Sequence, residues 1–158
     1  MVAVTRLNHA VLFVRDLDRE IEFYTRVFGF EVISKMPGQT AFLRAATSNN
    51  HHDLGLFATT AQNRPFLGSP GLYHLAWEVP TIEDLAQARA TLSELGALVG
   101  ESDHGATKSL YGKDPDGNQF EVMWLVPRED WGEHEHSAQT SHLDWQRELA
   151  LYGTKQAN

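Results

Sequence analysis

The chain repeats itself. Leu7, His9 and Val14 correspond to Leu72, His74 and Val79 at a constant offset of 65, Gly29 corresponds to Gly96 at 67, and "HDLGLF" at 52–57 corresponds to "NQFEVM" at 118–123 at 66. Self-similarity at a fixed period marks one supersecondary unit used more than once. Whatever fold the first half adopts, the second must adopt too, and matching residues must land at matching places.

Each half reads the same way. "LNHAVLFV" at 7–14 is a buried strand broken by one polar residue, His9. A helix follows in "DLDREIEFYTRVFG", with an Asp at 16 or 18 as its cap, Ile21, Tyr24 and Phe28 on one face, and Gly29 closing it. Short strand-like runs lie near 30–36, 40–46 and 53–58. The segment 59–71 is rich in turn residues. The second half opens with the strand "LYHLAWEV" and a helix in "TIEDLAQARATLSELG". There Thr81 and Asp84 have capping-box spacing, Leu85, Ala88, Leu92 and Leu95 form the stripe, and Gly96 ends it. Strands near 97–101, 107–113 and 118–125 complete the unit, with "DPDGN" at 114–118 a tight turn between the last two. The expected fold class is therefore α+β: two βαβββ modules forming a curved, cup-like mixed β-sheet with helices outside. The expected organisation is a single domain over 1–126, with module one at 5–60, a linker at 61–71 and module two at 72–126.

The repeat also gathers chemistry. If a local twofold relates the halves, His9 and His74 become symmetry mates facing one point. Glu121, in the last strand of the second half, adds a carboxylate where an apolar residue is expected, and its mate in the first half is Gly55, which has no side chain to offer. The expected metal ligands are thus His9, His74 and Glu121. Two histidines and one carboxylate leave open positions on a metal, an arrangement suited to non-haem Fe(II), with Mn, Zn or Ni as other ions that bind such donors. A lone histidine in a strand is more often a hydrogen-bonded core residue; the equivalence within the repeat is what points to metal.

The segments "LNHAVLFVRDLDREIEFYTRVFGFEV", "GLYHLAWEV" and "LYGKDPDGNQFEVMW" resemble the vicinal oxygen chelate superfamily, which holds glyoxalases, bleomycin- and fosfomycin-resistance proteins and extradiol dioxygenases. The resemblance covers roughly residues 5–126 and is strongest to small catechol 2,3-dioxygenase-type proteins. It implies an Fe(II)-dependent extradiol dioxygenase that takes a small aromatic diol and O2 and places both oxygen atoms in the product. It further implies that His52, in "HHDLGLF", serves as acid and base, that Tyr111 hydrogen-bonds a substrate oxygen, and that His104 helps position the substrate. A regular strand through 53–57 with Gly55 facing the metal would turn His51 inward and His52 away, so the resemblance requires an irregular start to that strand. A homodimer or higher homo-oligomer is expected by analogy of fold. The alternatives are a glyoxalase-like lyase or isomerase, which usually carries Glu or Gln where Gly55 stands, and a non-catalytic resistance-type binding protein.

Composition sets the outer bounds. With no cysteine there is no thiolate ligand or Cys nucleophile, so a metal must be held by His and carboxylate. A formal net charge of −8 argues against nucleic acid or an anionic membrane surface as a partner. No long apolar run predicts a membrane span, and the N-terminal stretch lacks a signal-peptide pattern, so cytoplasm is the expected location. The tail, 127–158, is polar, with a possible helix near 141–151. It could pack back on the domain, cover a neighbouring subunit or stay partly disordered. Its His134, His136 and His142 are expected to face solvent. Phe42, Phe57, Trp77, Trp124 and residues of the tail are the expected pocket wall.

Overall fold

The computed structural model describes residues 4–62, 70–136 and 139–154. The chain divides into two compact units, Met1–Leu67 and Gly68–Asn158. Most of the expected linker lies outside the described residues.

The first unit runs β1 (Ala10–Val14), α1 (Leu17–Phe28), β2 (Glu31–Met36), β3 (Thr40–Arg44) and β4 (Leu54–Ala58). Its four strands are ordered β1-β4-β3-β2. β1 and β4 pair in parallel, and the other neighbours are antiparallel. Helix α1 starts because the Asp16 side chain accepts from the Arg19 N–H, and it stops at Gly29, whose φ of 63° suits a residue without Cβ. Alternation sorts the side chains. Val14, Leu54, Leu56, Leu43 and Ala41 point to one face of the sheet and are buried with Leu17, Phe23 and Tyr24 of α1. The buried stripe of α1 is Leu17, Glu20, Phe23 and Tyr24, rotated from the expected one: Ile21 and Phe28 are only half-buried. The opposite, open face carries Val11, Phe13, Gly55, Phe57 and Phe42.

The second unit repeats the plan with β5 (Leu75–Val79), α2 (Ile82–Glu94), β6 (Leu98–Asp103), β7 (Thr107–Lys113) and β8 (Gln119–Leu125), ordered β5-β8-β7-β6. The correspondence reaches individual residues. Val11 pairs with Gly55 in the first unit, and Ala76 pairs with Glu121 in the second. Both modules break register at one place, between Val32 and Ser34 and between Leu98 and Gly100. Thr81 caps α2, its hydroxyl oxygen accepting from the Asp84 N–H and its hydroxyl donating to the Asp84 carboxylate at 2.6 Å. The tight turn forms as expected, with Gly117 N–H donating to the Asp114 carbonyl at 2.8 Å.

The tail packs back on the second unit. Ser141 and Asp103 exchange backbone hydrogen bonds of 2.8 and 3.0 Å. Helix α3 (Trp145–Tyr152) then lies against α2 and the sheet. Its Trp145 Nε1 donates to Glu101 at 3.2 Å, its Glu148 meets Lys108 at 3.5 Å, and its Tyr152 ring sits 5.0 Å from Trp124. Among the described residues no helix is long and apolar enough to cross a membrane.

Candidate metal centre

In the second unit, the open face is defined by the register Ala76–Glu121–Tyr111 across β5, β8 and β7. His74 immediately precedes β5 and shares the parity of Ala76. Its Nε2 lies 3.0 Å from Glu121 Oε2, with the histidine side chain 27% and the glutamate 12% exposed. Two donors, one nitrogen and one oxygen, therefore converge at the edge of solvent. Such a pair suits a borderline divalent ion. His74 Nδ1 is buried without a hydrogen-bond partner. The neighbouring Tyr73 ring covers the imidazole, 4.7 Å between centroids.

Tyr111 stands beside Glu121 in the register, its ring 6.0 Å from His74. Burial pushes its phenol above the ordinary value, and the Glu121 carboxylate adds to the effect, so the hydroxyl keeps its proton. The Tyr111 hydroxyl is 2.7 Å from His104 Nε2. His104 sits in the turn between β6 and β7, and its Nδ1 is 2.8 Å from the Gln139 carbonyl and 3.2 Å from the Thr140 hydroxyl.

In the first unit, His9 precedes β1 with the parity of Val11 and Phe13. Its Nδ1 lies 2.9 Å from Asn8 Oδ1. An amide oxygen only accepts, so Nδ1 carries the proton and Nε2 keeps its lone pair, the form in which histidine ligates a metal. Asn8 is held in turn: its Nδ2 donates to Asn50 Oδ1 at 3.1 Å, and Asn50 Nδ2 donates to the Asn8 carbonyl at 2.8 Å and to Asp53 at 2.6 Å.

The start of β4 is irregular. Asp53 turns into the 45–53 loop, where its carboxylate accepts from Ala45 N–H at 2.9 Å and from the Ser48 hydroxyl at 2.8 Å. Burial works against ionised Asp53, but these donors and Asn50 outweigh it and hold the carboxyl below the usual range. With Asp53 committed to the loop, His52 swings onto the open face, its ring 4.5 Å from His9 and 4.8 Å from Phe42. Burial lowers the His52 pKa, and the adjacent His9 and His51 lower it further. His51 stays exposed, its Nδ1 3.1 Å from that of His52.

The structure thus brings together His74 with Glu121 and Tyr111, Tyr111 with His104, and separately His9 with His52. Among the described residues, neither unit by itself brings three histidine or carboxylate side chains together as a metal site. Two of the expected wall residues are misassigned. Trp77 pairs in register with the fully buried Val122, and Trp124 is 7% exposed against α3, so both belong to the helix-covered face. Phe42 and Phe57 do line the open face, 5.9 Å apart. Sequence reasoning missed Asn8, Asn50, Gln139 and Thr140. Only Asn8, an amide next to the first histidine, left a readable signal.

Residues 6–122 match the family described as the Glyoxalase/Bleomycin resistance protein/Dioxygenase superfamily. The chain belongs to this superfamily. Two relatives within it are 34% identical: catechol-2,3-dioxygenase of Bacillus subtilis (strain 168), over 129 residues, and biphenyl-2,3-diol 1,2-dioxygenase 3 of Rhodococcus globerulus, over 126. These matches cover 80% and 78% of this chain but 44% and 65% of those proteins, so the chain spans less than two thirds of either. A solved superfamily structure, lactoylglutathione lyase from Agrobacterium tumefaciens, superposes with a TM-score of 0.59 at 25% identity, covering 77% of this chain and 94% of that one.

Proposed function

We propose that the protein is an extradiol dioxygenase that binds Fe(II) through His9, His74 and Glu121 and cleaves a catechol-like aromatic diol. The observation that carries this reading is the pairing of His74 Nε2 with the Glu121 carboxylate at 3.0 Å beside a Tyr111 hydroxyl already engaged by His104. That pair supplies two of the three donors and fits a divalent ion, and a protonated phenol lies next to it. The identity to two dioxygenases acting on vicinal diols supports the choice of chemistry.

When bound, Fe(II) supplies the electron transfer that lets a singlet aromatic react with triplet O2. The reaction is an addition: one ring C–C bond beside the diol breaks, both oxygen atoms enter the product, and no external reductant is consumed. The chain's own groups bind and move protons. His52 accepts a proton from one diol hydroxyl, its ring being held between His9 and Phe42. Tyr111 hydrogen-bonds the other diol oxygen, and His104 holds Tyr111 in place. Phe42 and Phe57 give the ring an apolar wall.

The first-half counterpart of Glu121 gives no support to glyoxalase-type chemistry. A Cβ at Gly55 would lie 3.1 Å from Val11 Cγ2 and 3.6 Å from Phe42 Cε1, so that corner is filled by neighbours and holds no base. The test is anaerobic loading with Fe(II), addition of catechol, and exposure to air. A yellow ring-cleavage product with matching O2 uptake is expected, and His74→Ala should lose both the stoichiometric metal and the activity. Full metal occupancy with no O2 uptake across a panel of catechols would overturn the proposal, and activity with Mn or Ni that ignores O2 would replace it with an isomerase or lyase.

A further inference from the structure

We infer that the tail segment Gln139–Ser141 is a positioning element that makes Tyr111 a hydrogen-bond acceptor toward whatever binds beside Glu121. Gln139 O is 2.8 Å from His104 Nδ1, and a carbonyl has no proton to give, so His104 Nδ1 carries the hydrogen. In the neutral imidazole the other nitrogen, Nε2, is then an acceptor. The Tyr111 hydroxyl at 2.7 Å is its only partner among the described residues and must donate to it. The one phenolic proton is thereby committed to His104. What remains on the oxygen is lone-pair density, which can receive a hydrogen bond but not supply one.

The tail is placed to do this. Asp103, next to His104, exchanges two backbone hydrogen bonds with Ser141, and Ser141 Oγ adds a third contact to the Asp103 carbonyl at 3.3 Å. This short bridge fixes the tail two residues from the carbonyl that holds the imidazole. The Thr140 hydroxyl, 3.2 Å from the same Nδ1, is a second acceptor there. Further along, α3 is tied down at Trp145, Glu148 and Tyr152. Without the tail, His104 Nδ1 would face water, and the imidazole would be free to take the other tautomer and donate to Tyr111 instead.

The ligand class follows. A ligand that keeps an O–H or N–H aimed at Tyr111 is favoured, and one presenting only acceptor atoms there is not. A diol that has lost one proton retains one hydroxyl and meets this requirement. That Tyr111 touches the substrate rests on the proposed function; the direction of the hydrogen bond between Tyr111 and His104 does not.

The experiment is long-range 1H–15N correlation of the histidine rings in the full 15N-labelled chain without metal, with the His104 signals assigned by their loss in His104→Gln. The expected result is His104 in the Nδ1–H form. Ser141→Pro removes one bond of the bridge and should return His104 to a mixture of tautomers. Thr140→Val leaves the Gln139 carbonyl in place and should keep the Nδ1–H form, which preserves a readout should the proline variant not fold. In the Fe(II)-loaded chain, Ser141→Pro should lower kcat on the order of tenfold to a hundredfold, with a smaller change in KM. An Nε2–H tautomer in the native chain, or an unchanged Nδ1–H tautomer in folded Ser141→Pro, overturns the inference. A native chain with the Nδ1–H tautomer but no dioxygenase activity supports it and sinks only the dioxygenase reading.

Discussion

Replacing Lys108 with methionine should cost about 3–5 kcal/mol of stability at pH 7, the range for removing one partner of a buried ion pair. Lys108 sits on the helix-covered face of β7, where its side chain is 6% exposed. Its ammonium lies 2.6 Å from Asp103 and 3.5 Å from Glu148, whose side chains are 11% and 2% exposed. At an effective dielectric of about 20, those separations correspond to gross attractions of about 6 and 5 kcal/mol, most of which offsets the desolvation of three charges. Without the cation the offset vanishes and two carboxylates remain buried together. Asp103 keeps a donor in the Gly105 N–H at 2.7 Å, whereas among the described residues the cation left to Glu148 is Arg147 at 3.9 Å. Glu148 is therefore the carboxylate left with the weaker compensation. Urea unfolding of Lys108→Met, Glu148→Gln and the double variant at neutral pH measures this. The double variant should recover at least 1 kcal/mol relative to the sum of the singles, as expected for groups in one network. Strict additivity, or a Lys108→Met cost below about 1 kcal/mol, the level of an exposed pair, would show that the network contributes little and that apolar packing alone docks α3.

Burial raises the Asp103 carboxyl, but Lys108 and the Gly105 N–H outweigh it and hold its pKa below 3.8. A depressed folded-state pKa contributes stability that is full above the unfolded value and lost as pH falls through the folded one. Asp103→Asn should therefore flatten the loss of melting temperature below about pH 4 while lowering stability at neutral pH. Gly55→Glu should destabilise by about 1 kcal/mol, the low end for overpacking because the 44%-exposed Val11 can give way, and Val11→Ala in the same chain should relieve part of that cost, measured by thermal melting of the four-member cycle.

The repeat was legible because it is written in residue types that fold chemistry requires. Caps at Asp16 and Thr81, glycines closing both helices and alternation in the strands all left marks that single residues carry. The stripe of α1 was misplaced because Glu20 is buried there, and a charged residue does not announce itself as core. An aromatic residue type does not say which face Trp77 and Trp124 take; strand parity, fixed by Val122 at 0% exposure, places them under the helices. Whether His51 or His52 faces inward turned on Asp53, which satisfies three donors in its loop and so breaks the alternation one residue before β4 begins. No pattern of residue types predicts that choice. The tail's contribution was hidden for a deeper reason: it is made by the backbone carbonyl of Gln139, and any residue has one.

The two modules show where such a fold tolerates change. Their helix-covered faces are near-equivalents, Leu54, Leu56 and Ala41 in one, Phe120, Val122 and Leu110 in the other, all buried. Those rows hold the helices and allow little but apolar side chains. The open faces bear no such duty, and there one row has diverged completely, Val11–Gly55–Phe42 against Ala76–Glu121–Tyr111. In the first, large neighbours fill the space over the glycine. In the second, small Ala76 leaves room for a carboxylate and a phenol to stand side by side. The second module is also longer where it matters, β7 and β8 having seven residues each against five in β3 and β4. That extra length carries Lys108, which anchors Glu148 of α3, and leads into the turn that carries His104. Divergence at one open row and extension at one end are thus sufficient to turn a structural duplicate into the half that gathers the polar groups, without altering a single strand pairing.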